Sequence, residues 1–177
     1  MFSGVFLDGP LFFLRDGVQG IKYLPHNKTV ITISRDPSAS ILIRHISGKF
    51  NSYVFKLGWG VRCFDYKVVR NVKVLVTGSN DKAVRVWSPE VTARPAAILT
   101  GHKAGINDVK VGQPMIMRLS HPAFRFPLFQ IHVELNLVIS YDKNSTLKVW
   151  DLDQGNCYQT LPLPFPRQDN FRLLQCL

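Results

Sequence analysis

Apolar and polar residues alternate in short runs along most of this chain, and the runs recur with one spacing. Leu75–Trp87 and Leu137–Trp150 are built alike: an apolar run, a polar turn, then an alternating run ending in tryptophan. With Trp87 as a ruler, Arg44 stands 43 positions earlier, closing the segment Ile41-Leu42-Ile43-Arg44, which alternates like Val84-Arg85-Val86-Trp87. Trp150 stands 63 positions later, and the excess falls between Val111 and Leu135, a stretch that matches nothing in the other units. Removing about 20 residues there restores a period of about 43, inside the roughly 40–45 expected for repeats of four strands each. Other landmarks keep register. Ser34, Thr77 and Ser140 stand ten positions before the ruler residues, and Trp59, His102 and Phe165 stand fifteen after; Gly58 and Gly101 precede the first two of these.

Alternation with period two is the mark of half-buried strands, and turn residues bound each run. The first unit predicts strands near 18–24, 28–34, 40–46 and 52–57. The second predicts 60–67, 73–79, 83–88 and 96–100. The third predicts 105–111, 135–141, 146–152 and 157–161. Pro25-His26-Asn27, Asp36-Pro37-Ser38, Asn80-Asp81-Lys82, Asp142-Lys143-Asn144 and Asp153-Gln154-Gly155 supply turn chemistry. No amphipathic helix is evident. The reading is all-β: units at about 16–58, 59–101 and 102–164, remnants at 1–15 and 165–177, and an insert at about 112–131. The N-terminal remnant occupies the place of an outer strand of a preceding unit. Pro114, Pro122 and Pro127 disfavour regular structure in the insert. Phe126–Gln130 can be encoded by a pyrimidine run ending in CAG, the form of a splice acceptor. The insert therefore reads either as translated intron or as a genuine loop between the first and second strands of the third unit.

Size and charge narrow the class. A chain of 177 residues with 46% hydrophobic content can bury one real core. The net charge of +10 is dispersed from Lys22 to Arg167 with no long basic block. Such a field reads first as a solvated basic surface and otherwise favours acidic partners: tubulin-like protein surfaces, nucleic acid or anionic lipid. Cys63, Cys157 and Cys176 are far apart and form no C-x-x-C pair, which suggests a reduced, intracellular setting and neither a zinc nor a redox motif. The apolar start, Met1–Leu14, lacks a basic n-region and a small-residue cleavage site, so no signal peptide is expected. No membrane span is expected either.

Chemistry is sparse. His26, His45, His102, His121 and His132 show no metal-binding spacing. Asp65, Asp81, Asp108, Asp142 and Asp151 are expected at turns or strand ends, bonding backbone. Gly17–Gly20 and Gly101–Gly105 open no helix and are not phosphate loops. Tyr53, Phe55, Trp59 and Tyr66 interleave with Lys56, Arg62 and Lys67, a pattern that serves base stacking or, as favoured here, packing between units. No enzymatic activity and no cofactor or metal are expected.

The segments Thr77-Gly-Ser-Asn-Asp81 with Val84-Arg-Val-Trp87, Leu99-Thr-Gly-His102, and Leu147-Lys-Val-Trp-Asp151 together resemble WD40 repeats, over about residues 16–161 apart from the insert. The wording Gly20-Ile-Lys-Tyr and Cys63-Phe-Asp-Tyr is similar to divergent WD-repeat proteins of cilia and sperm flagella. The resemblance implies a partial β-propeller of about three four-stranded antiparallel blades with an incomplete ring. Closure takes about 4–8 blades, so the chain is expected to be a fragment, short isoform or incomplete gene product with exposed apolar edges and a tendency to aggregate. The resemblance also implies a hydrogen-bond network within each blade. It assigns His102, Ser140 and Trp150 to the third unit, with Asn144 where an aspartate is expected. It assigns Thr77, Asp81 and Trp87 to the second, with Trp59 in place of histidine. The first keeps only Ser34, with Arg44 at the tryptophan position, and no unit has the full set. The function it implies is a non-enzymatic scaffold for protein partners, acidic or microtubule-associated, in the cytoplasm or the axoneme of a cilium or flagellum. Candidate contacts are Lys82, Arg94, Lys103 and Lys143. The alternatives are an RNA-binding module working through the basic surface, and a truncated product without activity of its own.

Overall fold

The computed structural model describes residues 17–47, 52–69, 71–91, 93–112, 117–119, 129–131 and 136–163. The two terminal remnants, His121, His132 and Cys176 lie outside the described residues, as does most of the insert.

The described residues fold into three four-stranded antiparallel sheets. The first comprises β1 (Val18–Leu24), β2 (Thr29–Ser34), β3 (Ile41–His45) and β4 (Tyr53–Phe55), with a 3-10 turn at Pro25–Asn27 between β1 and β2. The second comprises β5 (Cys63–Val69), β6 (Val72–Gly78), β7 (Val84–Trp87) and β8 (Ala97–Leu99). The third is β9 (Ile106–Gly112), then, beyond a separate hairpin of β10 (Met117–Leu119) and β11 (Phe129–Ile131), the strands β12 (Leu137–Asp142), β13 (Thr146–Asp151) and β14 (Cys157–Pro162). Strands pair in chain order in the first two sheets; in the third, β12 pairs directly with β9, so the hairpin leaves the sheet between its first and second strands. The β10–β11 ladder, Met117↔Ile131 to Leu119↔Phe129, corrects the expectation of no regular structure in the insert. Both strands fall in proline-free stretches of the sequence, and Pro114, Pro122 and Pro127 lie outside the described residues.

The repeat is visible in the core. Ile31, Ile33, Ile41 and Ile43 line one face of the first sheet; 43 positions on, Val74, Val76, Val84 and Val86 line the same face of the second; Leu137, Ile139, Leu147 and Val149 line that of the third. The faces of the first and second sheets each receive the opposite face of the next sheet. Tyr66, Leu75 and Trp87 seal the first interface, where Trp87 meets Phe55 edge-on at 5.3 Å between ring centroids. Val109, Val138 and Trp150 seal the second against Val76, Val84 and Leu99. Burying one such side chain contributes roughly 1.5–3 kcal/mol, so these two seams hold the stack. Among the described residues the first sheet's far face has no equivalent seam: Ile21 and Tyr23, in register with the partly buried Phe64 and the buried Tyr66, are 69% and 50% exposed. This is the exposed apolar surface expected of an open stack.

A polar strut crosses all three sheets along their first strands. Lys22 Nζ donates to Asp65 Oδ1 at 2.7 Å, and Asp65 Oδ2 accepts the Val111 N–H at 3.0 Å. Asp65 and Asp108 sit inside β5 and β9, not at strand ends as their sequence context suggested; each accepts the N–H of the residue that follows it, Tyr66 or Val109. The buried Cys63 thiol is pushed far up by desolvation and stays protonated, whereas Cys157 is exposed.

Candidate functional site

Antiparallel order sorts the loops. The turns after β2, β6 and β12 and the links joining successive sheets gather at one end of the strands. The turns after β1, β3, β5 and β7 gather at the other. Backbone bonds knit the first end together: Val61 N–H to Ser34 O at 2.9 Å, Ile106 N–H to Ser79 O at 3.0 Å, and Lys143 N–H to Gly105 O at 3.0 Å.

Beneath this end lies a continuous buried polar chain in the third sheet. The Trp150 indole N–H donates to Ser140 Oγ at 2.7 Å, Ser140 Oγ lies 2.6 Å from His102 Nε2, and His102 Nδ1 lies 2.9 Å from Asp142 Oδ2. A neutral imidazole satisfies all of them: Ser140 O–H donates to Nε2 and Nδ1–H donates to the carboxylate. Asp142 Oδ1 accepts the N–H groups of Asn144 and Thr146, closing the turn. The acid of this chain is therefore Asp142, and the placement of Asn144 at that point is corrected, as is the statement that no unit carries a full set. A register shift between Tyr141 and Asp142 against β9 accompanies the change, and bulges of this kind re-aim a side chain.

In the second sheet the chain is shorter. Trp87 N–H donates to Thr77 Oγ1 at 2.9 Å. Asp81 turns instead to Ser79, to Arg85 and to the Ala83 N–H. Burial works to raise the Asp81 pKa, but the bonds from Arg85 and Ser79 overcome it and hold the carboxyl below its ordinary value. Trp59, at the histidine position, is 66% exposed. In the first sheet Ser34 Oγ accepts the Asp36 N–H at 3.0 Å.

Ser140, His102 and Asp142 share the bonding order of a nucleophile–base–acid triad. Ser140 is wholly buried and its oxygen already accepts the indole N–H, so no substrate carbonyl reaches it. Burial, reinforced by Lys148 and opposed by Asp142, pulls the His102 pKa below its ordinary value. The imidazole is thus neutral in the folded chain and charges more readily once unfolded. The sign follows: between the folded and unfolded values the unfolded chain binds more protons, so stability is full above about pH 6.5 and falls as pH drops through the lower, folded value. We expect the urea midpoint to fall between pH 7.5 and 5, and to fall less in His102→Gln; equal losses in both proteins count against the assignment.

The surface of the knitted end is cationic. Arg35, Lys56, Lys82 and Lys103 are exposed and form no ion pair among the described residues. Lys82 sits at φ 71 at the tip of its turn. Lys143 is half-buried at the same end, while Arg94 lies in the loop after β7, at the opposite end, apart from the other three candidate contacts. The acids here are engaged: Asp36 caps Ser38, Asp81 meets Arg85, and Asp142 holds His102. Of the interleaved aromatics, Phe55 and Tyr66 pack between sheets, whereas Trp59 stands out beside Lys56 and Tyr53 is part-exposed. Arg35 was not singled out in the sequence, because only the folding of the turn after β2 onto the Gly60 link brings its backbone against that link. Among the described residues no cluster of His, Cys, Asp or Glu is fit to hold a metal, and no helix is long and apolar enough to cross a membrane.

Residues 52–88 match the family described as WD domain, G-beta repeat. Over 106 residues, 60% of this chain, the sequence is 37% identical to the WD repeat-containing protein on Y chromosome of Drosophila mojavensis and 35% identical to its namesake in Drosophila ananassae. The chain spans 7% and 8% of the lengths of those two relatives. Among solved structures, the WD40 β-propeller domain of Doa1 superposes with a TM-score of 0.59 at 16% identity, covering 83% of this chain and 41% of that one. U3-55K superposes with a TM-score of 0.57 at 16% identity, covering 83% and 39%. The recurring sheets, their seams and these likenesses converge: the fold is that of a partial β-propeller, similar to the WD40 propellers, and residues 52–88 match a WD40 repeat.

Proposed function

We propose that this chain is a non-catalytic platform for acidic protein partners, which it holds on the loop end carrying Arg35, Lys56, Trp59, Lys82 and Lys103. One observation carries the reading: cations without an ion pair and an exposed indole collect at the end where the local acids are already engaged in hydrogen bonds. WD40 propellers typically serve as protein-interaction scaffolds, and the strands here supply rigidity while the loops supply contact. The resemblance of Gly20-Ile-Lys-Tyr and Cys63-Phe-Asp-Tyr to ciliary and flagellar WD-repeat proteins supports an axonemal setting, where microtubule surfaces are strongly acidic.

An exposed indole among cations also suits single-stranded RNA, whose bases stack on aromatic faces. Binding of labelled polyglutamate and of polyuridylate at two salt concentrations separates the readings. The platform reading expects tighter binding to polyglutamate and a loss of roughly tenfold in Lys82→Glu/Lys103→Glu, since rim charges of this kind act through complementarity. Tighter binding to polyuridylate, weakened by Trp59→Ala, favours the RNA reading instead.

A further inference from the structure

The chain has three tryptophans, and they divide by use. Trp87 and Trp150 are each 2% exposed, and each donates its indole N–H to a hydroxyl of its own sheet. Trp59 is 66% exposed. It stands 43 positions before His102, which turns inward to Ser140 and Asp142. Trp59 turns outward, at the end of the strands where the cations collect.

The turn that carries Trp59 is held from two sides. Gly60 N–H donates to Leu57 O at 3.0 Å, so Trp59 is the third residue of a closed turn. Gly60 packs against the Arg35 backbone in a left-handed conformation, and Val61 N–H donates to Ser34 O at 2.9 Å. The backbone beneath the indole is therefore already ordered, and little of its freedom is left to lose when a partner covers the ring. Tryptophan on a fixed base is the residue type that most often dominates an interface. Arg35, on the turn packed against Gly60, and Lys56, three positions before Trp59, are both exposed.

A purely acidic partner leaves this indole unused. The ring face carries the negative side of its quadrupole, which attracts cations and repels carboxylates. The cations draw an acidic segment to this end, but the indole itself calls for a different group. Another aromatic ring gains most there, because offset or edge-on contact adds to the apolar area covered. Building on the platform reading, we propose that Trp59 is the specificity anchor of this surface. The partner segment it fits is acidic with an aromatic residue embedded among the acids. Arg35, Lys56, Lys82 and Lys103 attract the segment, and the ring seated on Trp59 decides which acidic segment is retained.

The test uses three labelled peptides of equal length: all glutamate, and the same peptide with its central residue changed to tyrosine or to leucine. Fluorescence polarisation compares them on wild type, Trp59→Ala and Lys82→Glu/Lys103→Glu. On wild type the tyrosine peptide is expected to bind roughly tenfold tighter than the all-glutamate one, although it carries one charge fewer, and tighter than the leucine one. Trp59→Ala is expected to erase that advantage and to leave all-glutamate binding unchanged, which also shows that the variant is folded. The double charge variant is expected to weaken all three peptides and keep their order. With excitation selective for tryptophan, the tyrosine peptide protects the exposed indole from acrylamide quenching. Equal affinities for the tyrosine and glutamate peptides would overturn the anchor and leave the platform standing. So would a leucine peptide that matches tyrosine, or an advantage that survives Trp59→Ala. Polyuridylate binding tighter than all three peptides and dependent on Trp59 would assign the indole to a base and overturn it too. No binding of any peptide would remove the platform and the anchor together.

Discussion

Ser140→Ala is expected to destabilise the chain by about 3 kcal/mol. The hydroxyl joins Trp150 N–H to His102 Nε2, and both are enclosed. Removing it strands an indole donor and an imidazole acceptor together, each costing roughly 1–3 kcal/mol when left unpaired out of water. The second sheet provides the internal control. Thr77 serves only Trp87 N–H, so Thr77→Val is expected to cost about half as much. Urea unfolding of the two variants decides it. Equal losses would mean that the histidine limb contributes nothing and that the indole bond alone matters. Asp142→Ala belongs to the same series: it frees His102 Nδ1–H and also opens the turn capped through Asn144 and Thr146.

The strands were legible because their physics is local. Alternation of the kind in Ile41-Leu42-Ile43 fits only a pleated, half-buried strand, and each of the twelve expected strands lies where one forms. The largest displacement is instructive. A strand near 60–67 was expected; β5 runs Cys63–Val69. Gly60 takes a left-handed backbone, and Val61 and Arg62 donate to the carbonyls of Ser34 and Gly78 in place of ladder partners. Those carbonyls lie 27 and 16 positions away in sequence, and nothing at 60–62 announces them. Asn71, at φ 65, lets the β5–β6 turn tighten and extends both strands toward it.

The site was legible in part. Residue types and a fixed spacing pointed to Thr77 with Trp87 and to Ser140 with Trp150, because the second- and third-strand partners are linked by a short turn. The acid was missed because counting along the chain set Asn144 against Asp81. Asp142, the last residue of β12 and two positions before Asn144, meets His102 beside a register shift that no periodicity encodes. The cationic end was invisible for a different reason. It assembles from loops of successive sheets, so its residues are neighbours only after the sheets stack. The dispersed positive charge of the sequence becomes a surface because the acids near it are consumed in turns: Asp36, Asp81 and Asp142 each close a bend.

Gly60→Ala is expected to cost about 3 kcal/mol or more and to loosen the cationic end. Two penalties add. Gly60 has φ +63, a region that costs a side-chain-bearing residue roughly 1–2 kcal/mol. A methyl group at that Cβ would also stand 2.5 Å from Arg35 O, 2.6 Å from Arg35 Cα and 2.9 Å from Arg35 C. All three are backbone atoms, so no rotamer change relieves the clash, and overpacking of this kind adds about 1–3 kcal/mol. Neither strand of the contact can retreat cheaply: Gly60 N–H is tied to Leu57 O at 3.0 Å, and Val61 N–H to Ser34 O at 2.9 Å. Relief would come by parting the turn after β2, which carries Arg35, from the link into β5, which carries Lys56 and Trp59. Gly58, two positions away, is the control. Its Cβ would meet nothing within 4 Å and its φ lies outside the positive range, so Gly58→Ala is expected to be neutral or slightly stabilising. Thermal unfolding with polyglutamate binding reads both consequences. Matching melting points for the two variants would show that this close approach of chains is not what fixes the loop end.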